Sequence, residues 1–237
     1  MALILHCGAK EIEYDDLRHV AIPPATQSHV PLAHFRLVET IRYALGFHGH
    51  EIIDEKHGIT EDGMRYFGAL MLKSPYGNYI DSVGLRNSND KTFPIGVAFG
   101  AKVMVCDNLS FHSTHVIRRK HTTNSLRDLP GLVSELVEPL RAEREAQHVC
   151  FERYQATPLT DERADHAILS MFRRRIIGLQ RIGDVVSEWD NPSHDWGDRT
   201  AWRLFNAATF ALAGRVSENP GITRELHQVI DGFCEEV

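Results

Sequence analysis

From residue 32 the apolar positions recur at helical spacing. Phe35, Val38, Ile41 and Leu45 fall three or four residues apart, which predicts a helix that Gly46 or Gly49 can end. After residue 50 the period changes. Residues 51–53 and 65–72 are short aliphatic and aromatic runs, and Glu61-Asp62-Gly63 between them supplies turn chemistry, so a hairpin is predicted. A second turn signal, Pro75-Tyr76-Gly77-Asn78, leads into residues 79–85. The polar run 86–91 then reads as a loop, and two further apolar runs follow at 95–100 and 102–106, as suits a central sheet.

Beyond residue 124 the pattern returns to helical spacing. Asp128 is placed to cap a helix with Pro130 in its first turn. Leu132, Leu136 and Leu140 make a stripe that Pro139 is expected to kink or split. Thr160, followed by Asp161 and Glu162, opens the next helix, with Ile168, Met171, Phe172, Ile176 and Leu179 as its apolar face. A loop spans 189–197. Trp202, Phe205, Thr209 and Leu212 mark another helix. After the break at Asn219-Pro220-Gly221, Leu226, Val229, Ile230 and Phe233 mark a last one. Strands gather in one half and helices in the other, so the expected class is α+β: an antiparallel or mixed central sheet packed with a helical C-terminal half. A single domain is expected over 1–237, with a loop-rich lead-in at 1–30, mainly sheet over 31–124 and mainly helix over 125–237.

Composition narrows the class without naming a function. The chain has 237 residues, 43% of them apolar and 24% charged, with a formal charge of -6, an ordinary globular balance. No apolar run approaches the ~20 residues of a membrane helix, and the first residues lack the basic start and apolar core of a secretory signal. Cys7, Cys106, Cys150 and Cys234 are far apart, so reduced thiols and a cytoplasmic location are expected. The 14 histidines are numerous. His48 and His50 would share one side of a strand, and His112 and His115 one side of a helix, yet no H-E-x-x-H or related spacing occurs, so neither metal nor cofactor is expected.

Two groups of residues carry candidate chemistry. The charge is uneven: Arg118, Arg119, Lys120 and Arg127 fall in a window from Phe111 to Arg127 without an acid, and Arg173-Arg174-Arg175 forms a second basic run. With Arg86, the residues Arg118, Arg119, Lys120, Arg173 and Arg174 make a candidate phosphate-binding set for DNA or RNA; each run read alone is also a solvated surface. The second group is Arg86, Asn87, Ser88 and Asp90, with Cys106 and Asn108 at the end of a following strand. Arginine can hold a carboxylate or phosphate in a fork, with Asn and Ser completing the bonds, but Asn, Ser and Asp also close turns. A cysteine nucleophile at Cys106 would need an exposed thiolate and a nearby base. Asn206, four residues after Trp202, is expected to clamp the sheet's loops from an apolar helix face. No phosphate-loop, dinucleotide or serine-hydrolase motif is present.

Several of these segments resemble one family. Leu85-Arg86-Asn87-Ser88-Asn89-Asp90-Lys91, Gly100, Val105-Cys106-Asp107-Asn108 and Thr200-Ala201-Trp202-Arg203-Leu204-Phe205-Asn206-Ala207 are similar to the prophage- and plasmid-borne proteins of domain-of-unknown-function family 932. So are Gly49-His50-Glu51-Ile52 and Asp62-Gly63-Met64-Arg65-Tyr66-Phe67-Gly68, and the likeness spans roughly residues 30–215. Asn89 stands where the family commonly shows histidine. The resemblance implies a phage, prophage or plasmid setting, and by association a partner that is nucleic acid or a host nucleic-acid-handling or defence protein. Two other expectations stand beside this one: a small-ligand protein or enzyme centred on the 86–90 and 106–108 segments, and a self-assembling interaction protein. A homo-oligomer fits any of the three; a membrane partner fits none.

Overall fold

The computed structural model describes residues 9–75, 79–103, 109–110, 116–212 and 221–235, and the structural statements below concern these. The strands are β1 (Lys10–Glu11), β2 (Ile52–Ile59), β3 (Arg65–Leu72), β4 (Tyr79–Ser88), β5 (Ile95–Val103), β6 (Leu109–Ser110) and β7 (Val116–Arg119). They form one antiparallel sheet in the order β1-β2-β3-β4-β5. Both β6 and β7 pair with the far edge of β5, β6 at Ala101–Lys102 and β7 at Ile95–Ala98. The helices are α1 (His34–Phe47), α2 (Thr123–Val137), α3 (Leu140–Ala156), α4 (Asp161–Arg173), α5 (Leu179–Asp190), α6 (Ala201–Ala211) and α7 (Gly221–Glu235). The arrangement is α+β, with the sheet in the N-terminal half and most helices in the C-terminal half.

Alternation along the strands decides what each face meets. Tyr66, Leu70 and Leu72 on β3, Val83 and Leu85 on β4, and Ile95, Val97 and Phe99 on β5 are buried in one cluster. Leu37, Val38, Ile41 and Leu45 of α1 and Leu129, Val133 and Val137 of α2 pack into it. A second cluster lies among the C-terminal helices, where Phe151, Tyr154, Trp202 and Phe205 crowd together. Tyr79 joins the sheet to it, meeting the Phe151 ring edge-on at 4.8 Å. Beside that contact the buried Asp81 receives Arg144 Nε at 2.6 Å and Gln147 Nε2 at 3.3 Å, while Arg144 Nη2 donates to Lys73 O at 2.6 Å. Burial pushes the Asp81 carboxyl up, and Arg144 opposes that shift.

The structure corrects several expected boundaries. Arg86, Asn87 and Ser88 are not loop but the end of β4, because each holds a place in the ladder: Arg86 opposite Phe67 and Gly96, Asn87 opposite Tyr66, Ser88 opposite Arg65. The first residues of the run expected at 102–106 continue β5, and 104–106 lie outside the described residues. Helix α2 starts five residues before Asp128 and keeps Pro130 inside it. Asp128 instead takes a 2.5 Å ion pair from Arg119. Pro139 does divide the stripe, standing between α2 and α3. Thr160 caps α4, its side chain accepting from Arg163 N. The helix expected through Leu179 breaks first, because Arg175 adopts a left-handed φ of 61°. Leu179 then opens α5 and is exposed rather than core. Asn206 is buried as expected, but its amide donates to Trp202 O of its own helix at 2.9 Å.

Candidate functional site

The residues richest in potential chemistry meet at the β4–β5 end of the sheet, and Asn87 organises them. Alternation turns its side chain to the same face as Val83 and Leu85, where it is fully buried. A buried amide needs partners at both ends. Its nitrogen donates to Leu32 O at 2.8 Å and to His34 Nδ1 at 2.8 Å, and its oxygen accepts from His121 Nε2 at 2.7 Å. This pattern fixes both imidazoles. His34 accepts at Nδ1, so its proton sits on Nε2 and is donated to Gly63 O at 2.9 Å. His121 donates from Nε2. Burial lowers both: His34 below its ordinary value against the pull of the Gly63 carbonyl, and His121 to about 4, with His29 and His34 adding to burial.

Two residues further on, Asn89 grips the same stretch of chain. Its oxygen accepts from Leu32 N at 3.1 Å and its nitrogen donates to Leu32 O at 3.2 Å, so one side chain pairs with a peptide as a strand would. Val30 N also bonds to His121 O at 3.1 Å, and Thr26 and His29 bridge to each other. These bonds hold the lead-in segment over the sheet end and bring the His29 ring to 4.9 Å from the His121 ring. His29 is 7% exposed, and its Nε2 has no hydrogen-bond partner among the described residues. An unmet buried polar group costs about 1–3 kcal/mol.

The opposite face of the same strands carries charge. Arg86 on β4 faces Gly96 on β5, and Gly96 faces Arg118 on β7. The three are neighbours in one row across the sheet, which places two guanidinium side chains on either side of a residue without one. A Cβ at Gly96 would lie 2.7 Å from Arg86 Cγ and Nε, so the Arg86 side chain runs over the bare backbone. Its guanidinium stands 5.1 Å from the centre of the Phe93 ring. Burial lowers the Arg86 pKa, and Arg118 lowers it further. Next to it the Asp90 carboxylate is committed: Ser88 Oγ donates to it, Arg65 Nε does so at 2.6 Å, and Thr92 N at 3.0 Å. Burial alone would raise this carboxyl, but those bonds hold it well below the usual range.

Beside these groups lies a pocket of about 320 Å³ whose lining includes His29, Lys91, Thr92, Phe93, Lys120 and His121. No acidic side chain lines it. Lys91 has a left-handed φ of 68°, a conformation that costs a non-glycine residue roughly 1–2 kcal/mol. Two ammonium groups beside two imidazoles disfavour a cation and suit an anion.

The expected residues therefore divide. Arg86, Asn87, Ser88, Asp90, Arg118 and Lys120 gather at one end of the sheet. Within that set Asn87, Ser88 and Asp90 are tied into internal bonds. Arg119 is engaged by Asp128. Arg173 and Arg174 sit elsewhere, at the C-terminal end of α4. There Arg175 N bonds to Phe172 O and Ile176 N to Met171 O, both at 2.9 Å, and Arg173 and Arg175 line a second pocket of about 480 Å³. Cys106, Asn108, His112 and His115 lie outside the described residues. His48 and His50 follow α1 rather than occupying a strand: His48 Nε2 meets Ser134 Oγ at 3.2 Å and His50 Nδ1 meets Arg144 Nη1 at 3.4 Å. Burial pushes the Cys150 thiol up to about 11, which keeps it protonated at neutral pH. Among the described residues no group of three or more His, Cys, Asp and Glu is placed to hold a metal, and no helix is long and apolar enough to cross a membrane.

Sequence reasoning missed His29, His34, Lys91 and Phe93 as parts of this site. The one signal for the two histidines is that they flank Pro31 in a segment otherwise read as lead-in; nothing local links them to His121. Comparison with family models, curated proteins and solved structures finds no match to this chain.

Proposed function

We propose that this protein binds nucleic acid through its phosphates at the β4–β5–β7 end of the sheet, as an accessory protein of a mobile element. The observation that carries this reading is the convergence of Arg86, Lys91, Arg118 and Lys120, from the end of β4, the loop before β5, the strand β7 and the residue just after it. Together with the acid-free pocket they form a local field opposite in sign to the net charge of -6. Phosphate contacts from lysine and arginine supply affinity without sequence reading, which suits a site where the aromatic Phe93 is already taken up by Arg86 and Phe67. The mobile-element setting rests on the family resemblance alone.

The test is fluorescence anisotropy of labelled single- and double-stranded DNA and RNA against rising salt. The reading expects affinity that falls steeply with salt and weakens on Arg118→Ala or Lys91→Ala. Binding that ignores salt and both substitutions would overturn it.

A second reading is supported by the pocket itself. Its volume lies at the low end of small-ligand sites, and no acidic side chain lines it. This reading drops the polymer and keeps the anion. A free phosphorylated metabolite binding where oligonucleotides do not would favour it.

A further inference from the structure

We propose that residues 29–32 are an acid-released strap: protonation of His34 and His121 undoes the Asn87 junction that ties the strap to the sheet end, and the strap lifts while the sheet stays folded. This holds whatever the sheet end binds.

The strap is tied at few points. Residues 21–28 ahead of it are exposed apart from the half-buried Pro23. Leu32 O accepts from Asn87 Nδ2 at 2.8 Å, Leu32 also pairs with the Asn89 amide, and Val30 N donates to His121 O at 3.1 Å. Asn87 can make its bonds only while His34 is neutral. Its nitrogen donates to His34 Nδ1, so that atom must keep a lone pair. A proton there sets one donor against another. The Asn87 amide cannot turn over to accept it, because its nitrogen would then face the His121 N–H and its oxygen the Leu32 carbonyl. His34 is also the first residue of α1, where the helix dipole opposes a cation. A proton on His121 adds a second charge, in a buried ring 4.9 Å from the His29 ring. Asn89 does not titrate, so its grip on Leu32 sets how far the pH must fall.

The surroundings give these cations nothing to pair with. Lys91 and Lys120 line the pocket beside His29 and His121 and repel them. The carboxylates on the neighbouring elements are engaged elsewhere among the described residues. On β2, Glu55 pairs with Arg42 and lies 3.6 Å from His57 Nε2. In the turn before β3, Asp62 accepts from Thr60 and from Met64 N. After β4, Asp90 accepts from Arg65, Ser88 and Thr92, and on α2 Asp128 pairs with Arg119 and Arg127. On β3, Tyr66 stacks on His34 at 5.4 Å, and its hydroxyl is spent on His57 Nδ1 at 2.8 Å. His57 differs in having Glu55 to receive its charge, so it is not part of the release. The lowered pKa values of His34 and His121 agree with this account. Lifting the strap frees both rings to take up protons in water. It also removes the wall of the pocket that Ser28 and His29 supply.

The experiment is amide hydrogen exchange of the full chain at pH 7.5 and 5, corrected for the intrinsic rate at each pH. The expected result is that protection over residues 29–34 falls about tenfold or more at pH 5 while protection along β3 and β4 is kept. His34→Asn with His121→Gln keeps an acceptor and a donor for Asn87 without a titrating ring, and should hold the strap closed at pH 5. Lys91→Glu leaves the junction untouched and places a carboxylate at the exposed rim of the pocket, so it should move the release to lower pH. Unchanged protection of the strap at pH 5 in the unmodified protein overturns the proposal. So does loss of protection in β3 and β4 together with the strap, which would be unfolding of the whole sheet. A release that persists in the folded double variant, or that Lys91→Glu leaves at the same pH, also overturns it.

Discussion

The His121 imidazole donates from Nε2 to Asn87 Oδ1 at 2.7 Å, across 34 residues of chain and from a different element. Asn87 is placed by the strand ladder, so it acts as a fixed reference to which the lead-in segment, α1 and the β7–α2 junction are all aligned. The same bond fixes His121, which lines the pocket beside Lys120.

Asn87→Ala removes one side chain and leaves His34 Nδ1 and the His121 N–H without that partner, while Leu32 O keeps its bond from Asn89. At about 1–3 kcal/mol for each unmet buried group, with partial compensation between the two, the expected loss is about 2–4 kcal/mol. Urea unfolding should show the midpoint falling with the slope unchanged. A loss under about 0.5 kcal/mol would mean that the network does not hold the sheet end together.

Stability should depend on pH through His121. Burial, then His29 and His34, lowers its folded pKa to about 4, while the unfolded chain titrates near 6.5. The unfolded state takes up its proton first as pH falls. The stability that goes with a neutral His121 is complete above about pH 6.5 and is lost between there and about 4. His34, lowered by burial, acts in the same direction. Urea midpoints at pH 7.5 and 5 should differ, and His121→Gln should flatten the difference while keeping a donor for Asn87. An identical pH dependence in the variant would assign the effect elsewhere.

Arg144→Ala should expose a different pH signature. It strips the cation from Asp81, which is fully buried, and an unpaired buried charge costs about 3–5 kcal/mol. Burial already raises the Asp81 carboxyl, and removing Arg144 removes the main opposition to that rise. The penalty should therefore shrink as pH falls and Asp81 takes up a proton. Thermal melts of the variant and the unmodified protein at pH 7.5 and 5 compare the two; a penalty that grew in acid would contradict the assignment.

Gly96→Ala should separate the arginine row from the fold. The added Cβ would sit 2.7 Å from Arg86 Cγ and Nε, so the Arg86 side chain must lift from the sheet. The expected result is a stability loss of about 1–2 kcal/mol with weakened nucleic-acid binding. Full binding strength in a folded variant would remove Arg86 from the interface.

Periodicity made β3, β5 and the faces of α1 and α6 legible, because each buries one side against a core and its apolar residues alternate or recur accordingly. The end of β4 was not legible. Asn87 and Ser88 have turn chemistry, and only the ladder partners Tyr66 and Arg65, brought in by the preceding strand, hold them extended. The break after α4 was hidden for a related reason: Arg175 takes the left-handed position where glycine is the usual signal. Of the candidate site, the polar run at 86–91 was visible as unusual, but its role depends on His29, His34 and His121, whose meeting is set by tertiary packing. The Arg86–Arg118 row was visible only as two separate charges, since neither sequence neighbourhood states that Gly96 lies between them.

The salt dependence of nucleic-acid binding tests the central claim most directly. Each phosphate contact contributes about 0.7–0.9 to the slope of log affinity against log salt concentration. The account predicts a steep slope for the unmodified protein, a loss of about one unit for Arg118→Ala and about two for Lys91→Ala with Lys120→Ala, and no change for Arg173→Ala with Arg174→Ala. A slope that stayed constant in the sheet-end variants, or fell only when Arg173 and Arg174 were removed, would contradict it.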